Sequence, residues 1–227
     1  MNDLRGLIAN RPCLLLDFDG PVCSVFSGIS SRRVAEQLGA AMGIALPPNL
    51  GATSDPFELL DYAAQISPEV AIATEAELTR LEVEAVALAS PTPHAHNVIR
   101  EASARASGSV AIVSNNAVEA IDVYLRAHGL RSNVAGIFAR TSAATILKPS
   151  PHLLDAALAG LQADAGTATF TGDSVTDLQA ANSAGIPAIG FANKPGKVER
   201  FAPFAPAVTI TDMSSLLTVI RGETISQ

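Results

Sequence analysis

Cys13-Leu14-Leu15-Leu16-Asp17-Phe18-Asp19-Gly20 is an apolar run that stops abruptly at two carboxylates, one residue apart, and a glycine. Such a run reads as a buried strand that delivers its acids to its C-terminal end. In an open α/β sheet that end is where ligands bind. Side chains alternate along a strand, so Asp17 and Asp19 share one side and Phe18 takes the other. A plain Asp-Gly turn accounts for Asp19 and Gly20. It does not account for Asp17, which would be a partly buried anion without a partner.

Outward from this strand the chain changes character twice. Pro21 to Ser30 is a connector of small residues. Ser31 to Ile44 then places Val34, Leu38, Ala41 and Met42 at helical spacing, and Pro47-Pro48-Asn49 ends that helix. A second helix spans Asp55 to Ile66, with Pro56 just inside its start, and a third runs from Ser67 to about Ala89. The stiff linker Ser90-Pro91-Thr92-Pro93 closes this three-helix insert. Beyond Pro93, short apolar strands alternate with helices, the pattern of a parallel sheet flanked by helices. Strands are predicted at Val110–Val113, Gly136–Ala139, Ala168–Thr171, Pro187–Phe191 and Ala207–Ile210. Helices are predicted at Val98–Ser107, Val118–His128, Ser150–Leu161 and Val175–Ala184.

The 227 residues are 48% hydrophobic and 16% charged, enough for one large domain or a core with a small insert. A formal net charge of -7 leaves no broad basic surface, so nucleic-acid binding is not expected. Lysine occurs only at Lys148, Lys194 and Lys197. Met1 to Pro12 has no long apolar stretch, and no run approaches the length of a membrane span, so a cytoplasmic location is expected, with no membrane partner. Cys13 and Cys23 are separated by an extended strand, so no disulfide is expected; Cys13 reads as a core residue and Cys23 as a small, half-buried space-filler rather than a reactive thiol near the site.

Polar groups recur at the predicted strand ends. Asp17 and Asp19 follow the first strand and Ser114 the second, Lys148 precedes a helix, and Asp173 with Asp177 follows Ala168–Thr171. In a parallel sheet these ends share one edge. Carboxylates with one lysine and one hydroxyl suit a magnesium ion beside a phosphoryl group. Each has a plainer explanation alone: Asn116 with Glu119, and Ser174 with Asp177, are both good helix-capping pairs, and Lys148 could be a solvated loop residue. All of these would have to hold at one edge together.

Leu16-Asp17-Phe18-Asp19-Gly20, Ile112-Val113-Ser114-Asn115, Lys148-Pro149 and Thr171-Gly172-Asp173-Ser174-Val175-Thr176-Asp177 resemble, in order and strand context, the four motifs of the haloacid dehalogenase (HAD) superfamily. The resemblance spans Leu16 to Asp177, and the helical insert is similar to the caps of the subfamily that includes phosphoglycolate phosphatase and β-phosphoglucomutase. It implies an α/β fold with a Rossmann-like three-layer core, residues 1–23 and 91–227, and a helical cap, residues 24–90. The implied activity is a Mg2+-dependent phosphatase acting on a small phosphorylated metabolite. Carried over, Asp17 is the nucleophile and Asp19 the acid and base. Asp17, the Asp19 carbonyl and Asp173 hold the metal, with Asp177 acting through water or by orienting its neighbours. Ser114, Asn115 and Lys148 bind the phosphoryl group.

One departure stands out. Pro21-Val22 follows Gly20 where these phosphatases commonly carry Thr-Leu, so the usual hydroxyl is missing. His94 and His96 read as surface linker residues. Arg32, Arg33 and Arg80 are the insert's candidates for a second anionic group on the substrate, against the plainer reading of solvated arginines. A metal-free dehalogenase is disfavoured by Asp19 and Asp173, and a Schiff-base phosphonate hydrolase by the lack of lysine between Gly20 and Pro93. A sugar-phosphate mutase and a non-catalytic phospholigand-binding protein stay open as alternatives.

Overall fold

The structure, a computed structural model, describes residues 2–223. Met1 and residues 224–227, read above as part of the core, lie outside it. A helix absent from the sequence reading, α1 (Asn2–Ala9), precedes β1 (Cys13–Leu16). β1 is buried on both faces: Leu14 and Leu16 enter one apolar cluster, Cys13 and Leu15 the opposite one. This is the signature of a central parallel strand.

After β1 come β2 (Cys23–Ser24) and the inserted helices α2 (Ser31–Ala41), α3 (Pro48–Gly51), α4 (Pro56–Ile66) and α5 (Pro68–Val86), then β3 (Ser90–Pro91). The insert therefore has a fourth, one-turn helix where Pro47-Pro48 was read only as a break. Proline at the first helical position carries no amide proton to leave unsatisfied, so Pro48 starts a turn as readily as it ends one. Ser30, Asp55 and Ser67 cap α2, α4 and α5. Val34, Leu38, Leu59, Leu60, Leu78 and Leu81 give these helices a small core of their own. The C-terminal end of α5 belongs elsewhere, because Ala85 and Val86 join the main core.

The rest alternates as the pattern predicts, with two further helices that the sequence reading did not include, the tenth and eleventh: α6 (Ala95–Ala104), β4 (Ser109–Ala117), α7 (Val118–Ala127), β5 (Gly136–Arg140), α8 (His152–Leu161), β6 (Ala168–Gly172), α9 (Val175–Ser183), β7 (Ala188–Phe191), α10 (Lys197–Phe201), β8 (Val208–Ile210) and α11 (Met213–Ile220). Among the described residues, six strands form one parallel sheet in the order β5-β4-β1-β6-β7-β8. The chain builds outward from β1 in both directions, so the order reverses beside β1, where a crevice opens at the C-terminal edge. Leu16 pairs with Ile112 on one side and Thr171 on the other, which sets Asp17, Ser114 and Asp173 close to one level.

The two ends of the insert are joined to each other. β2 and β3 pair antiparallel, Cys23 opposite Pro91 and Ser24 opposite Ser90. Thr92 reinforces the joint: its amide donates to Val22 O and its hydroxyl to Gly20 O. Cys23 is fully buried, and both cysteines are free. No described helix is long and apolar enough to cross a membrane.

The linker histidines differ from each other. His94 is exposed, but His96 is half-buried, its Nε2 2.9 Å from the Tyr124 hydroxyl and its ring edge-on to that residue. Burial, with the His128 and Arg100 charges adding, holds His96 down to about 4 from its ordinary 6.5. The folded protein thus keeps the ring neutral where the unfolded chain would protonate it. Stability present above pH about 6.5 is expected to drain away as pH falls toward 4. His96→Phe should flatten the melting temperature between those pH values; an unchanged slope would clear His96 of this role.

Candidate active site

Asp17 leaves the end of β1 with its amide bonded to Thr171 O at 2.9 Å, so the sheet itself sets the backbone. Its side chain is nearly enclosed, and its partner is Lys148. The Lys148 Nζ lies 2.8 Å from Asp17 Oδ1, 2.5 Å from Asp177 Oδ1 and 3.2 Å from Val113 O. Lys148 is buried, which excludes the solvated-loop reading.

Asp177 is a capping residue and a site residue together. Its Oδ2 accepts from the Asp173 and Ser174 amides, while the Ser174 hydroxyl accepts from the Asp177 amide. That capping box leaves Oδ1 for Lys148. Two glycines allow the carboxylates to crowd this edge. A Cβ on Gly20 would stand 2.4 Å from the Asp173 carboxyl carbon, and one on Gly172 2.3 Å from the Asp177 Cβ.

Asp19 is half-buried, with Oδ1 accepting from the Val25 amide at 2.9 Å. Asp173 receives Lys197 Nζ at 2.5 Å, and that lysine also bonds Asn193 Oδ1 at 2.8 Å. Lys194 lines a cavity with Asp19 and Asp173. All three lysines of the chain therefore gather around these carboxylates. Their scarcity was the available signal, and for Lys194 and Lys197 it went unused.

Burial dominates the titration of the cluster. It pushes Asp17 up to about 7, with the Asp177 charge adding and Lys148 opposing. It pushes Asp19 up to about 6 against the Val25 hydrogen bond. Asp173 rises for the same reason, opposed by Lys197. Burial alone would lower Lys148, but Asp17 and Asp177 together outweigh it and hold the ammonium above the ordinary lysine range. The site is thus short of positive charge. Asp17, Asp173 and Asp177 each bring an oxygen within 4.8 Å of the others, and an all-oxygen carboxylate set of this kind fits a hard divalent cation.

Ser114 still pairs with Ala139, but Asn115 and Asn116 interrupt the pairing of β4 with β5, whose register shifts between Ser114 and Ala117. Asn115 spends its side chain on Lys148, accepting from its amide at 2.8 Å and donating to its carbonyl at 3.1 Å. Asn116 does not cap α7, as its pairing with Glu119 suggested; Ala117 holds that position and the Asn116 side chain turns to Glu82.

Ser114, Lys148, Asp17, Asp19, Asp173 and Asp177 line one cavity of about 360 Å³. The insert contributes Asp55, Phe57, Glu58 and Asp61 to its wall, residues the sequence reading did not single out. Arg32, Arg33 and Arg80 are not brought to it. All three are exposed, with Arg32 paired to Glu36 and Arg80 to Glu77 and Glu84 on their own helices.

Solved structures share this architecture at low identity. A Lactobacillus plantarum protein named for phosphoglycolate phosphatase aligns with a TM-score of 0.69 at 16% identity, over 92% of this chain and 99% of its own. CbbY from Rhodobacter sphaeroides, solved with phosphate, gives 0.66 at 21%, over 91% and 96%. A subfamily IA HAD-superfamily hydrolase from Geobacter sulfurreducens gives 0.61 at 18%, over 93% and 97%. A search of curated protein sequences finds no match. The family model of haloacid dehalogenase-like hydrolases matches residues 14–185, about three quarters of the sequence and every motif quoted above, and on that match the chain belongs to the haloacid dehalogenase-like hydrolase family.

Proposed function

We propose that the protein is a magnesium-dependent phosphatase that hydrolyses a small phosphate monoester through an aspartyl-phosphate. The observation that carries this reading is the buried Lys148 ammonium, seated between Asp17 and Asp177 at a sheet edge where Asp19, Asp173 and Ser114 also converge. Asp17, the Asp19 carbonyl and Asp173 would hold the ion, with Asp177 orienting Lys148 and the neighbouring main chain. Bound there, Mg2+ supplies positive charge that offsets repulsion between a carboxylate and an anionic phosphoryl group.

Asp17 attacks phosphorus, and the bond from phosphorus to the ester oxygen breaks as Asp19 gives that oxygen its proton. Asp19, now a carboxylate, takes a proton from water, whose oxygen attacks the phosphorus of the acyl phosphate. Phosphate leaves and Asp17 is regenerated. An acid raised to about 6 suits both halves of the cycle. Ser114 donates to a phosphoryl oxygen and Lys148 neutralises the phosphoryl charge.

Residues 24–90 act as a cap over a catalytic core formed by residues 1–23 and 91–227. A cavity of about 360 Å³ suits a compact metabolite. The cap wall beside it is acidic, so the cap arginines are not assigned to substrate. Purified protein should lose phosphatase activity in excess chelator, regain it with magnesium and be inhibited by calcium, whose larger, looser coordination misplaces the nucleophile. Undiminished turnover in chelator would sink the proposal.

A further inference from the structure

Asn115 and Asn116, between the paired Ser114 and Ala117, carry no regular pairing between β4 and β5, so their backbone groups must be satisfied from elsewhere. The partners come from Arg140 at the end of β5 and from Glu82 on α5. Glu82, on the buried face of that helix, is fully enclosed, as is Arg140 at the end of β5. Glu82 Oε2 accepts from the Ala117 amide at 2.8 Å and from Arg140 at 2.5 Å, and its Oε1 accepts from the Asn116 amide group at 2.9 Å. Arg140 also donates to Asn115 O at 3.2 Å, Glu75 at 2.5 Å and Thr79 at 3.2 Å. With the Asn116 NH2 held by Glu82, the Ser114 hydroxyl donates to Asn116 Oδ1 at 3.2 Å and accepts from the Asn116 main-chain amide at 3.3 Å, which fixes the hydroxyl oxygen; its one proton turns to a phosphoryl oxygen when one binds.

We propose that Glu82 and Arg140 are positioning residues: an ion pair anchored on the inserted helix replaces the missing sheet bonds and shapes the 114–116 segment as a phosphoryl-binding loop. The inference rests on the phosphatase reading above. It adds that the C-terminal half of α5 is a fixed support of the catalytic edge. Packing alone does not require this pair, since apolar residues of similar volume fill a buried site about as well.

The test measures binding of inorganic phosphate by calorimetry in magnesium, alongside turnover of a small ester and thermal melting, in Glu82→Ala, Ser114→Ala and the double variant. Glu82→Ala is expected to weaken phosphate binding about tenfold, the worth of one or two hydrogen bonds. The double variant should lose little more than the worse single one, because both changes act on one hydroxyl. Fully additive losses would overturn the proposal. So would a lower melting temperature with unchanged phosphate binding. Should the alanine variant fail to fold, Glu82→Leu with Arg140→Met removes both charges together and is expected to fold, yet bind phosphate as weakly as Glu82→Ala; wild-type binding there would also overturn it. Absence of phosphate binding and turnover in the wild type would instead remove the phosphatase reading, and this inference with it.

Discussion

Asp17→Asn is expected to cut turnover by on the order of 10⁴-fold or more, the scale of loss when a nucleophile is removed, while leaving the melting transition close to wild type. Asparagine keeps the shape of the side chain and offers Lys148 an oxygen where Asp17 Oδ1 now sits at 2.8 Å. It also removes one of several carboxylates that burial crowds together, so folding does not suffer from the missing charge. What it removes is the oxygen anion that attacks phosphorus. Activity within tenfold of wild type would take Asp17 out of the nucleophile role.

Lys148→Met should damage both stability and rate. Methionine fills much of the same space but strands Asp17 and Asp177, both deeply buried, without the cation they share. Breaking a buried pair by deleting one partner costs about 3–5 kcal/mol. Denaturant unfolding in chelator should show a loss of that size. Removing a preorganised donor from a developing oxyanion costs about 10²–10³ in rate, so turnover in saturating magnesium should fall at least that far. A variant with wild-type stability and only a few-fold slower turnover would mean Lys148 is a bystander at this edge.

The sheet and the gathering of carboxylates around Lys148 were legible because each leans on a strong local signal. Runs such as Leu14–Leu16 and Val110–Val113 are buried on both faces, and such a strand shows itself as an unbroken apolar stretch. Polar residues placed just after such runs fall at one edge by topology alone. β2 and β3 were invisible, since two-residue strands carry no periodicity. α11 did carry a signal, Asp212 capping an apolar helix, and it was passed over. Glu82 shows the firmer limit. Helical spacing from Leu78 and Ala85 puts Glu82, unlike Glu77 and Glu84, on the apolar face of α5, but its ionic partner lies 58 residues away and no local pattern gives it. Asn116 was misjudged for the same reason: a capping motif with Glu119 is local, whereas the contact that prevails is to α5.

The β2–β3 joint also bears on how such proteins diversify. Facing residues of an antiparallel pair stand about 5 Å apart, so the chain enters and leaves the insert almost at one point. A segment tethered in that way can be lengthened, shortened or exchanged between homologues without displacing any strand of the sheet. The joint sets no requirement on what is swapped in, but the fold behind it does. A transplanted cap would have to bring its own carboxylate to the place of Glu82, or Arg140 would be left as an enclosed cation without its main counter-ion. Chimeras that ignore this are expected to fold poorly, and those that carry a glutamate on the last helix before the joint are the ones to build first.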